Sequence, residues 1–497
     1  MQRRTSAHLI SSAFLAFLST LLSPAIGRAA TALATPTLVK SVCAVKLPSD
    51  ERIDCYLLGV PENRSRNDSN IIHLPVIVFR SRSATPRSDP VIFTAGGPGA
   101  SSLSAFSSGK TIRLLDERDF IVFEQRGAKY AQPSLDCPEV DAEHENSFLS
   151  GLSTEADETN ELEAAKACFR RLTRSGIDLA GYNNAEIAQD IADLRQLLRI
   201  KSWNLYGLSY STWIMMDVMR TDPSGVRSAL LESVEPPDVP YDEMGNANLQ
   251  RSLDVLFDAC ATDLECSRSY PDLRSGFAQM VRSLDSRPID IVVKDASGGN
   301  HQRPFTGRNA VDTIYSELNN AAAIPQLPKT IYRASKGSYE DLIALAQDGL
   351  SPDSLSWGMR YSVWCADGLP LDDPSIVDQQ THAAYPLFDG EISAAFNPAI
   401  CSFWKVPAAS PSEWLPLTSS IPTLIFAGEY DPNTPPSWGR RALRTLANAY
   451  LYEFPGYSHT PSRSACAREM TIAFFDDPTK APDTTCFARI RERQFAR

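Results

Sequence analysis

SWNLYGLSYSTWIMM, residues 202–216, is the stretch on which the fold of this chain turns. A short apolar run, 203–207, leads into Leu208-Ser209-Tyr210-Ser211 and then into residues of helical character. A serine with a small residue two positions away on each side, set between strand and helix, marks a sharp turn that holds a hydroxyl out at its tip. Here the small residues are Gly207 and Ser211, so the second is a serine where the pattern has glycine. An ordinary strand-to-helix turn is the competing reading, because short motifs recur by chance. A serine hydroxyl is a weak nucleophile and needs a base, normally a histidine steered by a carboxylate, so the decision rests on partners elsewhere.

The chain has six histidines; His8 lies in the leader-like first residues, and only His301, His382 and His459 follow Ser209. The order nucleophile, acid, histidine is that of the strand–turn–helix hydrolases. His301 and His382 fall in a helix-rich stretch, whereas His459 follows a final strand-like run in LYEFPGYSH. The acid is Asp431 in IPTLIFAGEYDPNTPP, just beyond an apolar strand, with Glu429 in reserve. That position is the carboxyl edge of a parallel sheet, where open α/β sheets bind ligands. VIFTAGGPGASS places a strand before Gly96-Gly97-Pro98-Gly99, and glycines there let backbone N–H groups approach a substrate oxygen. The two oxyanion donors are assigned to the N–H of Gly97 and of Tyr210. A phosphate loop is excluded, since the lysine and hydroxyl residue that close one are missing.

From Val76 to about Pro236, runs such as VIVFRS, DPVIFTA, RDFIVFEQ, SWNLYG and RSALLESV read as strands alternating with helices. NNAEIAQDIADLRQLLRI puts Ile187, Ile191, Leu194 and Leu198 on one helical face, with Asn184 as its N-cap. From about Pro236 to Ser410 the pattern is helical and lacks clear strands; after Leu415 the strand–helix alternation returns. The expected organisation is therefore a signal peptide (1–30), a first core part (31–235), a helical cap insertion (236–412) and a second core part with a cysteine-bearing tail (413–497). The first thirty residues carry two arginines, an apolar run from Leu9 to Leu22 and then Pro24 and small residues, with cleavage between Gly27 and Ala32. Ten cysteines in an exported chain predict disulfides, and sequence adjacency pairs them as Cys43–Cys55, Cys137–Cys168, Cys260–Cys266, Cys365–Cys401 and Cys466–Cys486.

With 43% hydrophobic residues and a net charge of −12, the 497-residue chain can bury a large core and offers no basic stripe for nucleic acid. No H-E-x-x-H pattern is present and the histidines are scattered, so no metal or cofactor is called for, and no membrane anchor is expected. GGPG at 96–99, FEQRGAKYAQPSLDCPE, GLSYST, GEYDPNTP and GYSH, in this order, resemble the secreted tripeptidyl aminopeptidases and their proline iminopeptidase-like relatives, of the α/β-hydrolase fold. The resemblance implies an α/β-hydrolase core with a mainly helical cap, a triad of Ser209, Asp431 and His459, and release of short N-terminal pieces from a peptide substrate. Glu124 stands where those proteins usually have aspartate, and Ala95 where the iminopeptidases often have histidine. In YSVWCADGLP the resemblance makes Asp367 a holder of the substrate's α-amino group, with a plain surface or capping carboxylate as the other reading. An esterase, lactonase or amidase acting on a small non-peptide substrate uses the same triad and stays open, as does a non-catalytic binding protein on this fold, although no triad member is missing.

Overall fold

A computed structural model describes residues 35–106, 113–295, 297–348, 355–373, 375–376, 397–490 and 495–496. The chain divides into two compact units, Met1–Ala32 and Leu33–Arg497. The first unit, with the expected signal peptide and His8, lies outside the described residues, as does His382.

The second unit is built on one nine-stranded sheet: β1 (Thr37–Lys40), β2 (Ile53–Pro61), β3 (Ile71–Phe79), β4 (Val91–Thr94), β5 (Phe120–Phe123), β6 (Trp203–Leu208), β7 (Val226–Glu232), β10 (Thr423–Gly428) and β11 (Ala449–Phe454). A separate hairpin, β8 (Ile289–Lys294) with β9 (Asn300–Phe305), stands apart from it. The sheet order is β1-β2-β3-β5-β4-β6-β7-β10-β11. The three leading strands pair antiparallel and every pairing from β5 to β11 is parallel. This is the α/β-hydrolase sheet with one extra edge strand, β1.

The parallel strands are apolar on both sides because both faces are covered. Trp203, Leu205 and Ile425 face one core with α1 (Asn184–Leu197) and α2 (Ser211–Thr221). Phe93, Leu230, Leu424 and Phe426 face the other, with Met470 and Phe474. Ile187, Ile191 and Leu194 are buried as their helical spacing predicts. The N-cap differs from expectation: Asn183 holds it, extended at φ −148°, its side chain accepting from Glu186 N, and Asn184 is the first helical residue. Asn183 comes one residue before helical geometry begins, which is what a cap requires.

Two further departures from the sequence reading have local causes. Strands β1 and β2, and the start of β3, precede Val76, where the alternation was expected to begin; Pro75 inside β3 breaks the strand pattern. The segment between β7 and β10 is not free of strands, since it contains the β8–β9 hairpin. Among the described residues its regular structure is otherwise helical, including α3 (Tyr241–Thr262) and α4 (Trp357–Val363), and it has its own core around Leu253, Phe277, Ile314 and Ile331. Tyr430, from the loop after β10, inserts into that core. All ten cysteines form the five sequence-adjacent disulfides.

Candidate active site

Chain turns after β4, β6, β10 and β11 all leave the sheet at its carboxyl edge, and each carries one of the expected residues. Ser209 sits between β6 and α2 at φ 59°, a left-handed conformation that a non-glycine residue adopts at a cost. Its backbone N–H donates to Glu232 O at 2.9 Å, which ties the turn to the end of β7. Ser211, the serine in place of glycine, is fully buried; its Oγ accepts from Leu208 N at 2.8 Å and donates to Thr94 O at 2.8 Å. The departure from the motif is thus a hydroxyl that stitches the nucleophile turn to the last residue of β4.

Asp431 is fully buried, and its four contacts fill both oxygens: Oδ1 accepts from Asn433 N at 2.9 Å and Thr434 N at 3.0 Å, and Oδ2 from Thr434 Oγ1 at 2.8 Å and His459 Nδ1 at 2.9 Å. Facing a carboxylate, Nδ1 carries the proton, which leaves the Nε2 lone pair for a substrate-side proton. Ser209 Oγ has no hydrogen-bond partner among the described residues; such contacts commonly tighten only with substrate bound. Burial works against the imidazolium of His459, but the Asp431 carboxylate, by charge and by hydrogen bond, and the charges of Glu232 and Glu235 outweigh it and raise the pKa. Burial likewise pushes the Asp431 carboxyl up, and the His459 charge and hydrogen bond with the Thr434 donors bring it below its ordinary value. Glu429 does not face the histidine: Oε2 accepts from Gly456 N at 2.7 Å and joins the acid loop to the histidine loop.

The histidine loop is held from β7, where Ser233 Oγ donates to His459 O at 2.7 Å and Glu232 Oε1 accepts from Ser462 N at 2.6 Å. The acid loop is held from α3. Arg251 donates to Glu429 O and Asp431 O, each at 2.7 Å, and Ser252 Oγ to the intervening Tyr430 O. None of these supports, nor Thr434, was singled out from the sequence; only Thr434, a hydroxyl three residues after the acid, left a local signal.

After β4, Gln125 donates to Ala95 O at 2.6 Å and so orients the start of the GGPG loop. A Cβ on Gly96 would lie 2.7 Å from Leu208 O and 2.9 Å from Ser209 Cβ, so this glycine lets the loop press against the nucleophile turn. The N–H groups of Gly97 and Tyr210 have no acceptor among the described residues. Arg126 of the same motif is fully buried and bonded to Asp190 at 2.7 and 2.8 Å, a scaffold contact.

Asp367, in the π-helical turn Trp364–Gly368, is 1% exposed, and its Oδ2 accepts from Asn184 N at 3.0 Å at the start of α1. Asn184 Oδ1 in turn accepts from the Tyr210 hydroxyl. Burial holds the Asp367 carboxyl well above the usual carboxylate range. His301 pairs with Asp295 at 2.7 Å on the β8–β9 hairpin. A residue the sequence reading passed over, Glu235, follows β7 and is 4% exposed; its N–H donates to Thr212 Oγ1, and no described residue donates to its carboxylate. Burial pushes it up to about 7, Asp242 adds to this, and the charges of Arg360 and His459 pull the other way.

Residues 385–486 match the model of the TAP-like protein family. The serine protease Hip1 of Mycobacterium tuberculosis is 22% identical over 479 residues, covering 88% of this chain and 87% of its own. The putative hydrolase YuaR of Escherichia coli is 22% identical over 468 residues, 89% of each chain. A tripeptidyl aminopeptidase of Streptomyces coelicolor is 25% identical over 205 residues, 39% of this chain and 37% of its own. Among solved structures, a proline iminopeptidase of Mycobacterium smegmatis aligns with a TM-score of 0.36 at 14% identity over 86% of this chain and 99% of its own.

Proposed function

We propose that this member of the TAP-like family of α/β hydrolases, a serine hydrolase, is an exported peptidase that releases short pieces from the free amino end of peptides. Ser209 Oγ attacks the scissile carbonyl carbon as its proton passes to His459 Nε2, and Asp431 holds the imidazole and its positive charge. The N–H groups of Gly97 and Tyr210 receive the negative oxygen. His459 then gives its proton to the leaving amine, and a water deprotonated by the same imidazole hydrolyses the acyl-enzyme. The observation that carries this reading is the 2.9 Å contact of Asp431 with His459, on loops flanking a serine held at positive φ. Residues 236–412 serve as the cap over this centre. Five disulfides support an extracytoplasmic setting for the mature chain.

The carboxylate that meets the substrate amine is assigned to Glu235 and not to Asp367. Asp367 is buried with its Oδ2 engaged by Asn184 N at the start of α1, and burial raises its pKa, which disfavours the charged form that an ammonium would need as counter-ion. Glu235 is unpartnered among the described residues and titrates near neutrality, where a bound ammonium would draw it into its charged form.

A fluorophosphonate probe should label Ser209, and Ser209→Ala should lose both labelling and turnover while still folding. Near-parental rates in that variant would remove the mechanism. Free-amine peptides should be cleaved well and their N-acetylated forms poorly, with Glu235→Gln raising KM for the former alone. A preference for simple esters over both would place the chain among the esterases instead.

A further inference from the structure

The insertion touches the GGPG loop at two points 263 and 257 residues away in sequence. Arg360 Nη1, on α4, donates to Gly97 O at 2.7 Å, and Ser356 N donates to Gly99 O at 3.0 Å. Gly99 has φ +97°, and a Cβ there would lie 2.9 Å from Ser356 O, so the last glycine of GGPG makes room for the insertion's backbone. Ser356 is itself moored by its Oγ to Asp136, and Gly358 N to Leu135 O at 2.9 Å. The Arg360 guanidinium lies over the rings of Trp364, 5.2 Å, and Trp357, 5.8 Å, and has no carboxylate within ion-pair distance among the described residues. Its one hydrogen bond among those residues is to Gly97 O.

We propose that Arg360 is a positioning residue for the oxyanion hole: reaching from the insertion, it clamps the Gly97 carbonyl, restrains rotation about the Gly97 Cα–C bond, and so steadies the loop that presents the Gly97 N–H. This rests on the reading of that N–H as an oxyanion donor. Gly97, at φ +116°, has no side chain to restrict its rotation, and an oxyanion hole works through donors fixed before charge develops. The clamp supplies the restraint that the residue itself lacks. It also makes seating of the insertion a condition for a formed oxyanion hole.

The test is Arg360→Met, with Arg360→Lys beside it, on a short uncharged nitrophenyl ester that offers the guanidinium nothing to pair with. R360M should lower kcat about tenfold or more, short of the roughly 10²- to 10³-fold loss expected from deleting a donor outright, with KM within about twofold. The inhibition constant of a trifluoromethyl ketone, whose adduct carries the oxyanion, should rise by the same factor as kcat falls, and the acid limb of the pH profile should stay in place because the triad is untouched. R360K, keeping the stem and the charge, should recover part of both. Unchanged kcat, or a loss confined to KM with the ketone's affinity intact, would overturn the proposal and make Arg360 a substrate contact. If R360M does not fold, Arg360→Gln, which removes the charge and shortens the reach to Gly97 O, carries the same comparison: loss of kcat and ketone affinity in step supports the clamp, and parental values in both refute it. Inactivity of the parent enzyme toward esters and peptides alike, or activity surviving Ser209→Ala, would instead sink the proposed function.

Discussion

Replacing Ser211 by alanine tests whether the serine in the motif's glycine position carries structure. The substitution adds no volume and leaves Cβ in place, so its effect isolates the hydroxyl. That hydroxyl is fully buried, accepts from Leu208 N at 2.8 Å and donates to Thr94 O at 2.8 Å. Without it, the part-buried Leu208 N–H loses this acceptor, which costs up to about 1–3 kcal/mol, while the Thr94 carbonyl loses one of two acceptor sites at smaller cost. The sum is about 2–3 kcal/mol. Because the bond spans the nucleophile turn and the strand that leads into GGPG, the loss should also appear in kcat, as a several-fold decrease with fluorophosphonate labelling of Ser209 retained. Thermal melts of the oxidised protein should fall by a few degrees, as expected for that energy in a chain this large. An S211A variant that melts within about one degree of the parent and keeps its kcat would refute the argument that this hydroxyl holds the turn.

Other outcomes follow from the same geometry. With His459 raised above 6.5, mainly by Asp431 against the effect of burial, the neutral base is lost as pH falls through that raised value, so the acid limb of kcat/KM should be centred above pH 6.5; a limb centred below it would contradict the assignment. Thr434→Val removes the 2.8 Å donor to Asp431 Oδ2, a charge-assisted bond worth about 1.5–3 kcal/mol, and should lower kcat/KM about tenfold and the melting temperature by a few degrees; an unchanged rate would show that the other three donors suffice. Peptide mapping without reduction should return the five disulfide pairs, and serine replacement of Cys365 and Cys401, 36 residues apart, should cost up to about 4 kcal/mol by the loop-entropy account, read as a lower melting temperature.

The sequence by itself determined what depends on local order. Strand–serine–helix, strand–acid loop and strand–histidine loop can be recognised because each is a contiguous run, and their order along the chain names an α/β-hydrolase sheet with an insertion after β7. Adjacency also paired the cysteines as they occur, since each pair closes a short loop. Tertiary structure decided what depends on approach between distant segments. Asp367 follows Cys365 by two residues in YSVWCADGLP, yet Asn184 N at the start of α1 donates to its Oδ2 and the packing buries it; Glu235 has no motif around it, and only the packing of β7 against α2 leaves it buried, with its carboxylate unpaired among the described residues. The arginines at 251 and 360 carry no signal in the sequence, because a guanidinium's acceptor here is a backbone carbonyl some 180 or 260 residues away that carries no residue identity for a pattern to register. Side-chain chemistry is written in the sequence, whereas the partner that a buried charge or a backbone carbonyl meets is set only when the layers close.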